Sequence, residues 1–217
     1  MKLYQAQIVQ DLRAFYGDIL LPATTYTSVY DYLNGITTRM WEGFQARNAA
    51  IAVEINNYHP SYLGWPVPEI FALNFTLADC KHTVANQYGF ADWTIVKQQN
   101  QSYDLEFETA VNNLLEGNLE GLEGQLKAAP QLVNHRSQFG HRATLLHYAG
   151  NNGVELWRQQ IPHNLAEGIR LLLQYGADKE ATMPVYGGQF TTEQLLKTSA
   201  HPNDCGLMGV LSAAFED

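Results

Sequence analysis

Apolar residues recur every three or four positions along most of the chain, and this period predicts helices rather than strands. The segment from Leu3 to Ile19 shows it first, with an apolar face made of Ile8, Leu12, Phe15 and Ile19. The tract from Ala23 to Gly35 is rich in β-branched and aromatic residues but alternates imperfectly. For that tract a loop, a short strand and a short helix all stay open.

A second apolar stripe predicts one longer helix. Its members are Ile36, Met40, Phe44, Ile51 and Ile55. The charged side chains that fall outside the stripe are Arg39, Glu42, Arg47 and Glu54. Prolines between His59 and Glu69 then end the helix, because proline lacks the backbone N–H that a helix interior needs.

Local capping signals predict two further helices. Thr76 and Asp79 have the spacing of a capping box, and Gly89 stands where a glycine commonly ends a helix. Asp92 is predicted to cap a short helix that follows. The next stretch is polar and is the predicted domain boundary. It divides the chain into an N-terminal helical region and a second region, residues 1–103 and 104–217.

Helices in the second region are predicted to come in pairs. In the first pair, Gly117 ends one helix and Asn118 caps the next. Two more pairs are predicted, residues 144–151 with 165–175 and residues 192–200 with 204–215. A spacing of roughly 33 residues is typical of a stacked solenoid, in which each pair buries its apolar face against its neighbours.

The segment ATLLHYAGNNG, residues 143–153, resembles the T-P-L-H-x-A signature of ankyrin repeats, with Leu145 in place of the proline. IRLLLQYGADKEA, residues 169–181, resembles the end of such a repeat. Between them, residues 154–165 form an insertion of about eleven residues relative to the usual period. The likeness covers residues 105–217 in about three units, the middle one carrying the insertion. Residues 77–98 are similar to a helical lead-in of bacterial ankyrin-repeat proteins of undefined function.

The resemblance implies an all-α fold, a short ankyrin-like helical solenoid with an N-terminal helical extension or cap. It also implies a structural role for one histidine. Thr144 begins a helix, and the His147 ring is predicted to hold the Thr144 hydroxyl and fix the turn. We therefore expect His147 to stabilise the repeat and to take no part in catalysis.

Ankyrin-like solenoids bind other proteins through turn tips and the concave helix face, so the resemblance implies a protein–protein interaction module. The predicted contact residues of one loop are Gln138, Phe139, His141 and Arg142, and those of the next loop are Tyr186, Gln189 and Phe190. The insertion adds Trp157 and Arg158, an aromatic ring and a guanidinium predicted to anchor a partner from the surface.

The net charge of the chain limits the kind of partner that we expect it to bind. The chain has 217 residues with 13 Lys and Arg against 22 Asp and Glu, a net charge of −9. This balance disfavours nucleic acid and favours a basic protein partner. No apolar run is long enough for a membrane span and the first residues do not resemble a secretory signal, so a cytoplasmic protein without membrane contact is predicted. The two cysteines are far apart and predict ordinary core residues.

One alternative function comes from the histidines, which crowd the C-terminal half at His135, His141, His147, His163 and His201. They suggest a small-molecule or metal-dependent enzyme. Their spacing does not match a zinc-binding helix, and no G-x-S-x-G motif is present. The pair Gly187 and Gly188 is predicted as a turn and not as a phosphate cradle. We accordingly expect no catalytic residue, no metal and no cofactor.

Overall fold

Helices account for most of the residues that the computed structural model describes, which are 2–20 and 26–216. The all-α character predicted from the apolar period is confirmed, with four short strands added. The chain divides into two units. The N-terminal unit is Gln7–Tyr103, and the C-terminal unit combines Asp104–Asp217 with Met1–Ala6. No described helix is long and apolar enough to cross a membrane.

The N-terminal unit contains six helices among its described residues. They are α1 (Gln7–Tyr16), α2 (Val29–Gln45), α3 (Ala49–Tyr58), α4 (Val67–Ile70), α5 (Leu77–Gln87) and α6 (Trp93–Val96). Helix α3 packs against α1, α2, α4 and α5, and α2 also packs against α5. The buried residues of this core include Leu12, Leu33, Ile36, Met40, Ile51, Ile55 and Val84.

The first predicted helix is shorter than expected. Helix α1 starts at Gln7, and residues Leu3–Gln5 form a strand, β1, instead. The tract from Ala23 to Gly35 begins outside the described residues, and its later part enters α2 at Val29. The Ser28 hydroxyl caps that helix by accepting from the Asp31 N–H at 3.1 Å.

The longer predicted helix is in fact two helices, α2 and α3. Arg47 adopts φ 55°, a left-handed conformation that an α-helix cannot contain. Asn48 then starts α3, with its side-chain oxygen accepting the Ala50 N–H at 2.9 Å. The apolar stripe continues across the break because both helices bury residues in the same core.

Glu54 was predicted on the polar side of that helix, and this is wrong. Its side chain is completely buried. Helix α3 is enclosed by α1, α2, α4 and α5. The face that carries Glu54 is therefore as much part of the interior as the face that carries Ile51 and Ile55.

The two capping predictions in this unit are confirmed. Thr76 and Asp79 form a capping box in which the Thr76 N–H donates to Asp79 Oδ2 at 2.8 Å. Asp92 Oδ1 accepts the backbone N–H groups of Thr94 and Ile95 at 2.7 and 3.1 Å. Gly89 has φ 76°, as a glycine after a helix requires.

The C-terminal unit contains seven described helices and four strands. The helices are α7 (Leu105–Glu116), α8 (Leu119–Ala128), α9 (Leu145–Tyr148), α10 (Leu165–Gln174), α11 (Thr192–Thr198), α12 (His201–Asp204) and α13 (Met208–Ala213). Strand β1 pairs antiparallel with β2 (Gln160–Pro162), and β3 (Thr182–Val185) pairs antiparallel with β4 (Gly188–Thr191). Short 3-10 turns lie at Pro130–Asn134 and Leu156–Arg158.

The first predicted helix pair of this unit is confirmed. Gly117 ends α7 at φ 72°, and the Asn118 side chain accepts the Gly121 N–H at the start of α8. Helix α9 is a single turn, shorter than the predicted 144–151. It ends there because Asn151 has φ 52° and its amide donates to the Gln160 carbonyl at 2.8 Å, which turns the chain into the following segment.

The close packing around Gly43 of α2 predicts that replacing this glycine destabilises the protein. A Cβ atom added at Gly43 would lie 2.5 Å from Phe15 Cζ and 2.7 Å from Ile51 Cγ1. We expect Gly43→Ala to destabilise the protein by about 1–3 kcal/mol in urea denaturation, because the buried Ile51 side chain has no room to move. The matched control is Gly124→Ala on α8, where nothing lies within 4 Å. It should stabilise by about 0.5–1 kcal/mol through helix propensity. Equal effects of the two substitutions would contradict this account of the packing.

Candidate functional site

The first of two loops that hold predicted contact residues runs from residue 136 to 142. The Ser137 N–H closes it by donating to the Ala143 carbonyl at 2.7 Å. The Phe139 N–H donates to the Ser137 hydroxyl at 3.1 Å, and the Phe139 ring is buried beneath the loop. Arg142 has φ 53° and an exposed side chain. The loop thus has an internal anchor and an exposed guanidinium.

The second loop is the hairpin of β3 and β4. Thr182 lies opposite Thr191 and Val185 opposite Gly188, so the turn residues are Tyr186 and Gly187. Both have positive φ, 53° and 74°, as a two-residue type I′ turn requires. The turn predicted from the glycine pair is confirmed, one residue earlier. Tyr186 is 67% exposed at the tip.

One arginine ties these two loops together. Arg136 Nη1 donates to the Arg142 carbonyl at 2.9 Å and to the Thr182 carbonyl at 2.8 Å. The first loop and the base of the hairpin are therefore held side by side. We call the surface they form the finger edge. It consists of the exposed Arg142, Tyr186 and Gln189 and the half-buried Gln138 and Phe190.

The other predicted contact residues lie in the interior: Phe139, His141, Trp157 and Arg158. The prediction that the insertion exposes Trp157 and Arg158 at the surface is therefore wrong. In this conformation a partner protein cannot reach these side chains.

Strand pairing explains why the insertion folds inward. Within it, β2 pairs with β1, whose three residues Leu3–Gln5 lie opposite Pro162, Ile161 and Gln160. The Gln160 side chain donates to the Leu115 carbonyl at 3.1 Å and accepts from Gln5 Nε2 at 2.6 Å. These bonds satisfy backbone and side-chain groups that a surface loop would leave to water.

Arg158 is the centre of a buried ion cluster, defined here as Arg158, Glu108, Glu155 and His141. Arg158 Nη1 lies 2.6 Å from Glu108 Oε2 and 3.5 Å from Glu155 Oε1. His141 Nε2 lies 3.5 Å from the same Glu155 oxygen. All four side chains are at least 95% buried, so the ion pairs are weakly screened by solvent.

The rest of the Arg158 guanidinium is also engaged. Nη2 donates to Asn112 Oδ1 at 3.3 Å on α7. The guanidinium carbon lies 4.5 Å from the centre of the Trp157 ring and 5.5 Å from that of the Tyr148 ring. Aromatic faces at this distance attract a cation. Arg158 therefore joins the insertion to α7 and α9.

The pKa values of the two carboxylates in the cluster shift in opposite directions. Burial raises the pKa of Glu108, and the Arg158 charge offsets only part of that rise. Burial also acts upward on Glu155, but the Arg158 charge and the contact with His141 together lower the pKa of Glu155. Of the two carboxylates, Glu155 therefore stays charged more readily, and Glu108 takes up a proton before it.

His147 is completely buried and makes the contact predicted for it. Its Nδ1 atom lies 3.1 Å from the Thr144 backbone nitrogen and 2.8 Å from the Thr144 hydroxyl. Since a backbone N–H can only donate, Nδ1 is the acceptor and the neutral ring carries its proton on Nε2. Burial lowers the pKa of His147 to about 4, aided by the charge of Arg136.

The other histidines do not converge on one place. His135 Nε2 lies 3.0 Å from Asp104 Oδ2, and His201 Nε2 lies 3.3 Å from Gln159 Oε1, while His163 is exposed. Among the described residues, no group of three His, Cys, Asp or Glu side chains is placed to hold a metal ion. The histidines on which the alternative function depends therefore lie apart from one another in the described part of the chain.

Glu108 and Glu155 were not predicted as site residues, although the sequence spacing around each of them is informative. Glu108 precedes the buried Val111 and Leu115 by three and seven positions, the spacing of one helical face. A carboxylate in such a stripe predicts a buried charge with a partner. Glu155 and Arg158 are three residues apart in the same insertion.

Comparison with known proteins adds no relative. No protein-family model, no curated protein and no solved structure matches this chain.

The ion cluster generates a prediction about stability. Arg158→Met should cost about 3–5 kcal/mol of unfolding free energy, because it leaves two buried carboxylates without their cation. The control is Arg142→Met, which makes the same change at an exposed position. It should change stability by less than about 0.5 kcal/mol. Urea denaturation of both variants provides the measurement, and a similar loss in both would contradict the cluster's role.

The pKa of His147 generates a prediction about pH. A base whose pKa is lowered by folding contributes stability that is present above its unfolded pKa and is lost as pH falls through the folded value. For His147 this window runs from 6.5 down to about 4. Over it, wild type should lose about 3 kcal/mol more than His147→Gln. Glutamine cannot titrate but can still accept the Thr144 N–H, as in a capping box.

Denaturation curves at several pH values between about 4 and 7 test this, with His163→Gln as the exposed control. The control should follow wild type, since the His163 side chain is exposed and the His147 ring is unchanged in this variant. If wild type and His147→Gln lose stability in parallel, the buried neutral ring is not the cause.

Proposed function

We propose that the C-terminal unit is a protein-binding module, a short solenoid of the ankyrin type whose partner contacts the finger edge and the adjoining concave helix face. The proposal combines the resemblance of residues 105–217 to ankyrin repeats with the arrangement of the loops. The proposed module consists of a layered stack, a rigid edge and exposed side chains that anchor the partner.

Hydrogen bonds between successive loops support the layered stack. Asn134 Nδ2 donates to the Gly176 carbonyl at 2.8 Å, and the Asp178 N–H donates back to Asn134 Oδ1 at 2.9 Å. With the bond from Arg136 to Thr182, the bonded positions are 42, 44 and 46 residues apart. A repeat of roughly 33 residues lengthened by an insertion of about eleven has this offset.

The observation that carries the proposal is the hairpin tip. Tyr186 exposes two thirds of its surface, yet its backbone is fixed in a type I′ turn and its hydroxyl donates to Asn152 Oδ1 at 2.6 Å. The base of the hairpin is held by Arg136. An aromatic ring presented on an ordered support loses little conformational entropy on binding, and Tyr and Arg are frequent anchors of protein interfaces.

The charge of the chain supports a basic partner. A net charge of −9 attracts cationic proteins over a distance of about 10 Å at moderate salt. Such attraction accelerates association and weakens as salt increases.

The experiment uses Tyr186→Asn, because asparagine tolerates the positive φ of the turn while removing the ring. The matched control is Val210→Ala on α13, where a hydrophobic side chain that is 46% exposed is shortened. Wild-type protein captures proteins from a lysate of its source at low and high salt, and a captured protein is then purified. We expect Tyr186→Asn to weaken its binding roughly ten-fold or more and Val210→Ala to leave the Kd unchanged.

A partner that binds wild type and Tyr186→Asn with equal affinity would contradict the finger edge as the contact surface. Loss of binding in both variants would point to a surface around α13. Binding that does not weaken with salt would contradict the basic character of the partner.

A further inference from the structure

Glu54 of the N-terminal unit is a buried carboxyl with an unusual set of partners. The Tyr16 hydroxyl donates to Glu54 Oε2 at 2.6 Å, and Gln87 Nε2 donates to Glu54 Oε1 at 2.8 Å. All three side chains are at least 97% buried. They come from α3, α1 and α5, so the carboxyl joins three helices.

Both hydrogen-bond partners are neutral, and no lysine or arginine among the described residues pairs with Glu54. The basic side chain of α2, Arg39, is engaged elsewhere. It lies 3.3 Å from Glu42 and 3.9 Å from Asp18 at the surface. A carboxylate in the interior is costly without a cation. The charged form of Glu54 is therefore stabilised by two hydrogen bonds alone.

Two titratable groups close to Glu54, the Tyr16 hydroxyl and the Cys80 thiol, are neutral at ordinary pH. Burial raises the pKa of Tyr16 well above its usual range and raises that of the Cys80 thiol on α5 to about 12. From α2, the Tyr32 hydroxyl lies 3.1 Å from the Tyr88 hydroxyl. Helix α4 contributes only Glu69, which is exposed.

One further group lies at the end of α3. His59 faces Asp79 of α5 at 3.7 Å, and burial lowers the pKa of His59. The stability that His59 contributes is lost as pH falls, whereas the stability contributed by a buried carboxyl with a raised pKa is lost as pH rises. A comparison of wild type with Glu54→Gln separates the effect of Glu54 from that of His59, because both proteins contain His59.

The Gln87 side chain has a free acceptor beside Glu54. Its Oε1 atom is buried and has no hydrogen-bond donor. A half-turn of the amide exchanges Oε1 and Nε2. After this half-turn, Gln87 Oε1 would accept a hydrogen bond from the protonated Glu54 oxygen. In the present arrangement Gln87 Nε2 donates to the same oxygen in its unprotonated form. The pair can therefore hold the carboxyl in either state without moving a helix.

We propose that Glu54 and Gln87 form a proton-binding switch in the N-terminal unit, in which one proton taken from solvent onto Glu54 Oε1 reverses the hydrogen bond between them. In the deprotonated state Gln87 Nε2 donates to the carboxylate. In the protonated state the new Glu54 O–H donates to Gln87 Oε1, while Tyr16 continues to donate to Oε2. The proposal concerns a different unit from the finger edge and does not depend on it.

Burial raises the pKa of Glu54 to about 7, because the hydrogen bonds from Tyr16 and Gln87 recover only part of the lost hydration. A carboxyl whose pKa is raised by folding contributes stability that is fully present below its unfolded pKa and is lost as pH rises through the folded value. The window runs from 4.5 to about 7. Between about pH 5 and pH 8 the contribution of Glu54 to the folding equilibrium constant should therefore fall roughly 70-fold.

The direct test is a carbon-13 NMR titration of the glutamate side-chain carboxyls in the full chain, which needs no variant. The Glu54 signal should titrate with a midpoint of about 7, and the Gln87 side-chain amide signals should shift with the same midpoint. A Glu54 midpoint near 4.5, or no titration between about pH 4 and pH 9, would overturn the proposal. So would titration of Glu54 without a matching change at Gln87.

The second test compares wild type with Glu54→Gln by amide hydrogen exchange in α3 and α5. Relative to the variant, the protection of wild type should fall roughly 70-fold between about pH 5 and pH 8. Glu69→Gln on α4 is the control and should behave as wild type does. A wild-type protein whose protection changes in parallel with that of Glu54→Gln would overturn the switch. If Glu54→Gln does not fold, the titration of wild type decides alone.

Discussion

The C-terminal unit depends on how one cation is buried. Arg158 sits between Glu108 of α7 and Glu155 of its own segment, against the Trp157 and Tyr148 rings. A guanidinium is the one basic group that can serve several planar partners at once, because its donors lie in a fixed fork. The insertion that carries it is thereby held inside, where it connects α7 and α9 instead of projecting into solvent.

This inward insertion shapes the rest of the unit. Because most of residues 154–165 are buried, the exposed members of the predicted contact set lie in the loop of residues 136–142 and in the β3–β4 hairpin. Arg136 joins those two by their backbone carbonyls, whatever side chains they carry. The proposed binding edge can therefore vary in its exposed residues, such as Arg142 and Tyr186, without loss of its framework.

Features determined by neighbouring residues were predictable from the sequence. The Thr76–Asp79 box, the Asp92 cap and the junction at Gly117 and Asn118 each depend on contacts within a few positions. The break at Arg47 was not predictable, because a positive φ at arginine has no compositional signal. The burial of Arg158 depends on Glu108, fifty positions away, and that of Glu54 on packing from several helices. Of the candidate site, the exposed hairpin tip was predicted, whereas the inward turn of the insertion required knowledge of its distant partners.

Strand β1 has a consequence for how the chain is made. Gln5 pairs with Gln160, 155 residues later, and the whole N-terminal unit lies between them in sequence. At a synthesis rate of about 5–20 residues per second, β1 leaves the ribosome roughly 8–30 seconds before its partner exists. The intervening helices have time to fold first, and once compact they shorten the loop that the strand pair must close. The strand pair of the C-terminal unit thus includes a segment that is synthesised before the whole N-terminal unit.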